Sequence, residues 1–159
     1  MTITSTRVRR LLLILPVTLV VAVTTMPVVS GDNAGADPWA KSALLEPPVL
    51  AKILTSSRQQ PAIICVAFPV LYRGRHILHA KFAGPTSKPE GIKALRELVA
   101  SMPKNTDLVI YCGCCPMDKC PNIRPAYQTL KELGFSHIRV LDLPTNLHSD
   151  WSAKGYPVD

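Results

Sequence analysis

The sequence predicts an α/β fold, in which one parallel sheet is flanked by helices on both faces. Two observations carry this prediction. Short apolar runs rich in β-branched residues, such as residues 62–67, are typical of buried parallel strands. These runs alternate with segments whose apolar residues recur at helical spacing. Alternation of strand and helix along one chain is typical of a parallel sheet with right-handed crossover connections.

The individual elements follow from local patterns. The first helix is expected over residues 49–54, behind Pro47 and Pro48, and Gly134 is expected to end the last one. The polar, proline-bearing segment 37–48 is expected to be a linker, so that residues 49–159 form the domain. The remaining elements are strands over 62–67, 108–111 and 138–141 and helices over 88–100 and 123–133.

Length and charge limit the possible functions. A chain of 159 residues has room for one domain of ordinary size and a short extension. The net charge is +7, but the Lys and Arg residues are scattered, with no basic run and no interleaved aromatic residues. A nucleic-acid partner is therefore not expected. A moderate excess of positive charge favours small anionic ligands instead.

Residues 1–36 resemble a secretory signal. A basic start with Arg7, Arg9 and Arg10 precedes an apolar stretch over 11–23 and a small-residue end at 34–36. The apolar stretch is short for a membrane span. We therefore expect cleavage and a periplasmic or secreted protein, with an uncleaved membrane anchor as the alternative. The compartment would be oxidising, which matters for the cysteines.

The strongest chemical signal is a cluster of cysteines between the second predicted strand and the last predicted helix. Cys112 directly follows the strand, so a rigid element positions it. A thiol at this place faces the amino end of the next helix, where the helix dipole and free N–H groups favour a thiolate. Four of the five cysteines lie in this loop: Cys112, Cys114, Cys115 and Cys120.

Two polar residues at the end of the loop have predicted roles. Asn122 is a favourable N-cap residue, and Pro125 lies in the first turn that follows it. Arg124 would be carried beside the loop, where a guanidinium can bind an anionic substrate through two hydrogen bonds.

The region around this loop resembles the active site of rhodanese-like sulfurtransferases. The resemblance begins with Tyr111-Cys112, continues through a loop that closes on Arg124, and includes a helix with Ala126, Leu130, Gly134 and Phe135. Flanking segments agree with it and extend the similarity over roughly residues 49–158. These are Tyr72 with His76-Ile77 and Ala80, and Trp151 with Gly155-Tyr156-Pro157-Val158.

The resemblance implies sulfur transfer without a cofactor or a resident metal. Cys112 would attack a small anionic sulfur donor such as thiosulfate, hold the sulfur as a persulfide and pass it to a thiol or cyanide-like acceptor. Arg124 would bind the anion. The surrounding substrate site would consist of Gly113, Cys114, Cys115, Cys120 and Asn122.

The loop departs from the family pattern and leaves alternatives open. The segment from Cys112 to Arg124 is longer than usual, and Cys120 is a second candidate nucleophile because it lies nearer to Arg124. Cys114 or Cys115 could also form a disulfide with Cys120. The alternative function is an exported thiol-redox or soft-metal module, in which all four loop thiols bind zinc or copper. Cys65, within an apolar run, is expected to be a buried, inert thiol.

Overall fold

The sheet has five strands, all parallel, in the order β1-β5-β4-β2-β3. The computed structural model describes Thr2 and residues 37–56 and 58–159. Its central strands are β2 (Ala62–Cys65), β4 (Leu108–Tyr111) and β5 (Ile138–Leu141), which confirms the three predicted strands. The edges are the two-residue strands β1 (Leu44–Leu45) and β3 (Lys81–Phe82), which are too short to show a period in the sequence.

The helices confirm the predicted alternation. Three of them match the predicted helices to within a few residues, and two short ones were not predicted. Proline stands at the start of several, where its missing N–H costs no hydrogen bond. The helices are α1 (Pro47–Ser56), α2 (Pro69–Gly74), α3 (Pro89–Val99), α4 (Ile123–Glu132) and α5 (Leu147–Asp150). Together with the sheet they give the α/β fold that the sequence predicts.

The core lies on both sides of β4. Every residue of this strand is fully buried, so its two alternating faces are both covered by other elements. Helices α3 and α4 pack against each other and contribute Leu95 and Leu130, while α1 contributes Leu50; all three leucines are 0% exposed. No helix in the described part of the chain is long and apolar enough to cross a membrane.

The segment predicted to be a linker is part of the fold. Trp39 is buried, and its ring meets the Tyr127 ring edge to face, with the centroids 5.4 Å apart. Leu44 pairs with Val140, which places β1 on the edge of the sheet. The segment 37–48 was predicted to be a linker because its prolines and polar residues outnumber the few apolar residues that pack into the fold. The predicted signal segment, residues 1–36, lies outside the described residues apart from Thr2.

The pairing of β2 with β4 fixes where the cysteine loop begins. Cys65 lies opposite Tyr111, and the pairing continues as the N–H of Val66 donates to the carbonyl of Tyr111 at 2.9 Å. Cys112 therefore leaves the sheet at the carboxyl edge, the usual place for ligand sites in parallel sheets.

Gly91 is required where α3 meets the preceding loop. A Cβ atom at this position would lie 2.2 Å from the carbonyl oxygen of Pro85, and backbone cannot swing aside as a side chain can. We expect Gly91→Ala to lower the free energy of unfolding by about 1–3 kcal/mol, although alanine is the better helix former. Gly74→Ala is the matched control, because nothing lies within 4 Å of its Cβ. Urea denaturation of both variants measures the difference, and equal midpoints would contradict the prediction.

Candidate active site

Cys112 lies between two spaces of different character. Its side chain is 3% exposed, and it lines both an outer cleft of about 630 Å³ and a narrow inner crevice with no room for a water molecule. A group attached to its sulfur can therefore extend into the cleft, while the rest of the side chain stays enclosed by the protein.

The outer cleft has apolar walls, one arginine and one histidine. Helix α2 supplies Val70, Leu71 and Tyr72, and α5 supplies Leu147 on the opposite side. Arg75, directly after α2, and His148, within α5, also line it and are exposed. Neither α2 nor α5 was predicted, because helices this short show no reliable hydrophobic period. The two helices that form the walls of the cleft, and Arg75 beside them, were therefore not predicted from the sequence.

The inner crevice contains Cys120. This residue is 1% exposed and shares the crevice with Met117, Ile123 and Leu141, which are also buried. Cys120 does not line the outer cleft. Of the two candidate nucleophiles, only Cys112 is open to a substrate.

The loop sulfurs form a compact group of free thiols. The Sγ atoms of Cys112 and Cys114 are 3.2 Å apart, and those of Cys114 and Cys115 are also 3.2 Å apart. The Sγ atoms of Cys112, Cys114 and Cys120 all lie within 4.8 Å of one another. All five cysteines of the chain are described as unbridged, so the structure does not contain the disulfide considered between Cys120 and Cys114 or Cys115.

The start of α4 stabilises a thiolate at Cys120. The pKa of Cys120 is lowered to about 6 by a hydrogen bond from the Cys112 thiol and by the backbone N–H groups of Asn122 and Ile123, against the opposing effect of burial. The pKa of Cys112 is raised, first because its proton is held against Cys120 and then because the thiol is buried. The sequence led us to expect the helix effect at Cys112; the longer loop brings Cys120 to the helix end instead.

Asn122 connects the loop to its surroundings. Its side-chain Nδ2 donates to the Cys112 sulfur at 3.3 Å, and its Oδ1 accepts the N–H of Ser87 at 3.0 Å. Its carbonyl accepts the hydroxyl hydrogen of Thr86. Asn122 is the N-cap residue of α4 as predicted, but its side chain makes no capping hydrogen bond, because both side-chain groups are used in holding the site together.

Gly113 brings α5 against the cysteine loop. It has φ +82°, a conformation that favours glycine, and a Cβ here would lie 2.7 Å from the Cβ of Leu147. Its carbonyl accepts the N–H of Leu147 at 3.0 Å. This close approach is what turns α5 into a wall of the cleft.

Arg124 does not face the cleft. Its guanidinium pairs with Asp37 at 2.5 Å and donates to the carbonyl of Asp118 at 2.8 Å. It also lies beside the Trp39 ring, 5.8 Å from the centroid. The structure therefore separates Arg124 from the substrate side of Cys112. Arg75 is the arginine on that side.

Cys115 and Cys65 have less favourable surroundings for a thiolate. Burial, followed by the hydrogen bond with Cys114, raises the pKa of Cys115 to about 12. Cys65 is buried as predicted, and its burial raises its pKa. It lies at the floor of the cleft, next to Tyr111.

The fold and this loop define an α/β domain with a cysteine at the carboxyl end of a central parallel strand, and solved structures of rhodanese-like domains share that fold. A rhodanese-like domain from Anabaena sp. matches with a TM-score of 0.54 and 23% identity, covering 74% of this chain and 78% of that one. A protein from Bacillus halodurans matches with a TM-score of 0.56 and 16% identity, over 72% and 74%. A single-domain sulfurtransferase from Saccharomyces cerevisiae matches with a TM-score of 0.52 and 14% identity, over 70% and 89%.

The chain therefore has the rhodanese-like fold. No protein-family model matches its sequence, and a search of curated proteins found no match.

The thiolate at Cys120 can be observed directly. When wild-type protein is titrated with base, a thiolate should form with a midpoint at about pH 6. The ultraviolet absorbance of the thiolate measures this transition. Cys120→Ser should remove this transition, and Cys115→Ala should keep it at a somewhat higher pH, because the hydrogen bond from the Cys115 side chain also lowers the pKa of Cys120. Because the pKa of Cys120 is lower in the folded protein than in the unfolded chain, its thiolate stabilises the fold. This stabilisation is complete above pH 9.0 and is lost as the pH falls through about 6. A first thiolate transition near the ordinary cysteine pKa, about 8.5, would contradict the assignment.

Proposed function

We propose that the chain is a sulfurtransferase, which moves a sulfane sulfur from a small anionic donor such as thiosulfate to a thiol or cyanide-like acceptor. The observation that carries this proposal is the position of Cys112, at the carboxyl end of β4 and open to a cleft of about 630 Å³. The cleft has room for a small anion. The shared fold with a protein named as a single-domain sulfurtransferase supports the same chemistry.

The first half-reaction uses Cys112 and Cys120 as a pair. The Cys112 sulfur attacks the sulfane sulfur of thiosulfate, the sulfur–sulfur bond of the donor breaks, and sulfite leaves. The proton of the Cys112 thiol passes to the neighbouring Cys120 thiolate, so the raised pKa of Cys112 does not prevent the attack. The product is a persulfide on Cys112, with its outer sulfur in the cleft.

The second half-reaction returns Cys112 to its starting state. The acceptor attacks the outer sulfur and takes it, and the Cys112 sulfur recovers the electron pair of the broken bond. The backbone N–H of Cys114 and the Nδ2 of Asn122 donate to the Cys112 sulfur. They stabilise the negative charge that this sulfur bears when the outer sulfur departs.

The donor anion is proposed to bind Arg75. This side chain lines the cleft and is exposed, and it forms no ion pair with any residue in the described part of the chain. Arg124, the arginine of the sequence prediction, is neutralised by Asp37. Its role in this proposal is to hold the start of α4 against the segment that precedes β1.

Cys112 is the residue whose loss should abolish turnover. With thiosulfate and excess cyanide, wild-type protein should form thiocyanate. Cys112→Ser should form none above background, because a serine hydroxyl cannot hold sulfur as a persulfide. Cys120→Ser should still form thiocyanate, because Cys112 remains open to the cleft, but more slowly, because the acceptor for the Cys112 proton is lost. Thiocyanate is measured colorimetrically. Retained activity in Cys112→Ser would refute the assignment of the nucleophile.

Arg75 and Arg124 separate two models of anion binding. Arg75→Gln should raise the KM for thiosulfate by about 10-fold or more, because one charge-assisted hydrogen bond contributes about 1.5–3 kcal/mol. Arg124→Gln should leave KM within about 2-fold while lowering stability through the lost pair with Asp37. Steady-state kinetics on both variants, with urea denaturation as the stability readout, distinguishes them. A large rise in KM for Arg124→Gln with little change for Arg75→Gln would show that Arg124 binds the anion.

Soft-metal binding is the second candidate function. The three sulfurs of Cys112, Cys114 and Cys120 lie within 4.8 Å of one another, and thiolate ligands favour zinc and copper(I). Stoichiometric retention of either ion by wild-type protein, together with no thiocyanate from thiosulfate and cyanide, would favour this candidate over sulfur transfer.

The proposed site of action is outside the cytoplasm. The basis is the signal-like sequence of residues 1–36; export by such a signal would expose the loop thiols to an oxidising compartment. The remaining partners in the proposal are small molecules only, without nucleic acid and without membrane contact beyond that segment.

A further inference from the structure

We propose that Cys120 is a resolving thiol, which attacks the persulfide on Cys112, releases hydrosulfide and leaves a Cys112–Cys120 disulfide. This inference rests on the proposed function, because it begins with sulfur bound to Cys112. It adds a second activity to the same site, namely reduction of the transferred sulfur to sulfide when no acceptor enters the cleft.

The two spaces around Cys112 provide the geometry for this step. Attack at sulfur proceeds with the incoming thiolate and the leaving group on opposite sides of the attacked atom. Cys120 lies on the crevice side of Cys112, and the outer sulfur of a persulfide would lie on the cleft side. The two cysteine sulfurs are within 4.8 Å, and a side-chain rotation can bring them to the disulfide distance of about 2.05 Å.

The surroundings of Cys120 favour a thiolate that can react only with another group inside the protein. Its sulfur accepts the N–H groups of Asn122 and Ile123 at the start of α4, and its side chain is 1% exposed in a crevice without room for water. Small molecules from solution have no path to it through the cleft. The sulfur of Cys112 is the electrophile within its reach.

Cys114 is the competing thiol, and its position is less suitable. Its sulfur is nearer to that of Cys112, at 3.2 Å, but Cys114 lines the outer cleft together with Cys112. Its sulfur also lies within 4.8 Å of that of Cys120, so distance alone does not separate the two candidates. A disulfide from Cys112 to Cys114 would also close a small ring through Gly113, whose conformation is fixed by Leu147.

The step balances with the groups already named. After sulfur transfer, Cys120 carries the proton taken from Cys112. Cys120 loses this proton as it attacks, and the outer sulfur, on the cleft side, takes up a proton from the solvent there. The Cys120 thiolate then forms a bond to the inner sulfur, the persulfide bond breaks, and hydrosulfide leaves with its electron pair. Two cysteine thiols are oxidised and the sulfane sulfur is reduced to sulfide. A dithiol reductant is needed to restore the two thiols for another turnover.

A single-turnover experiment without an acceptor tests the inference. Fully reduced full-length chain, freed of reductant, is mixed with thiosulfate, and sulfite and sulfide are measured separately. Wild-type protein should release sulfite and sulfide in equal amounts, and peptide mapping should find residues 112 and 120 joined by a disulfide. Cys120→Ser and Cys120→Ala should release sulfite alone and retain a sulfur atom on the peptide that contains Cys112. The sulfide yield of both variants should fall to background.

Cys114→Ser tests the competing thiol, and in this variant the sulfide released should still equal the sulfite released, whatever the rate of the first step. Loss of sulfide in this variant, or a persulfide that persists in wild type as long as in Cys120→Ser, would overturn the resolving role and leave sulfur transfer intact. Absence of sulfite from wild type would overturn the proposed function itself, and the resolving role with it.

Discussion

The site depends on one buried amide, the side chain of Asn122. It is 0% exposed, so its polar atoms need partners inside the protein. Its Nδ2 donates to the sulfur of Cys112, its Oδ1 accepts the N–H of Ser87, and its backbone carbonyl accepts the hydroxyl of Thr86. Three pieces of chain that are distant in sequence meet at this residue: the end of β4, the loop before α3 and the start of α4. Its loss would free the Cys112 side chain and loosen the start of α4 beside Cys120.

The long loop gives two cysteines different surroundings. Cys112, next to β4, lines the outer cleft, and Cys120, next to α4, has the N–H donors that favour a thiolate. In the proposed mechanism, the Cys112 thiol with its raised pKa can therefore react without first releasing its proton to water, because Cys120 lies within 4.8 Å as the acceptor for that proton.

The sequence was sufficient for the fold and for the position of Cys112, because both depend on long apolar patterns that leave a clear period. It was insufficient where contacts join distant segments. Arg124 was expected at the substrate because its partner, Asp37, lay in a segment interpreted as a linker. Arg75 was missed because α2 is too short to be recognised and because nothing local to Cys112 points to it. The positive φ of Gly113 was not visible either, although a glycine beside the nucleophile is a signal of close packing.

The shortness of β1 and β3 has a consequence for the solubility of the protein. Strands at the edges of a sheet expose unpaired backbone groups, which can recruit a strand of another molecule and begin aggregation. Here each edge strand has only two residues, and one edge carries the exposed, charged Lys81. An incoming strand would find few hydrogen bonds to make and a charge to desolvate. The two short edge strands therefore disfavour the addition of a strand from another molecule to the five-stranded sheet.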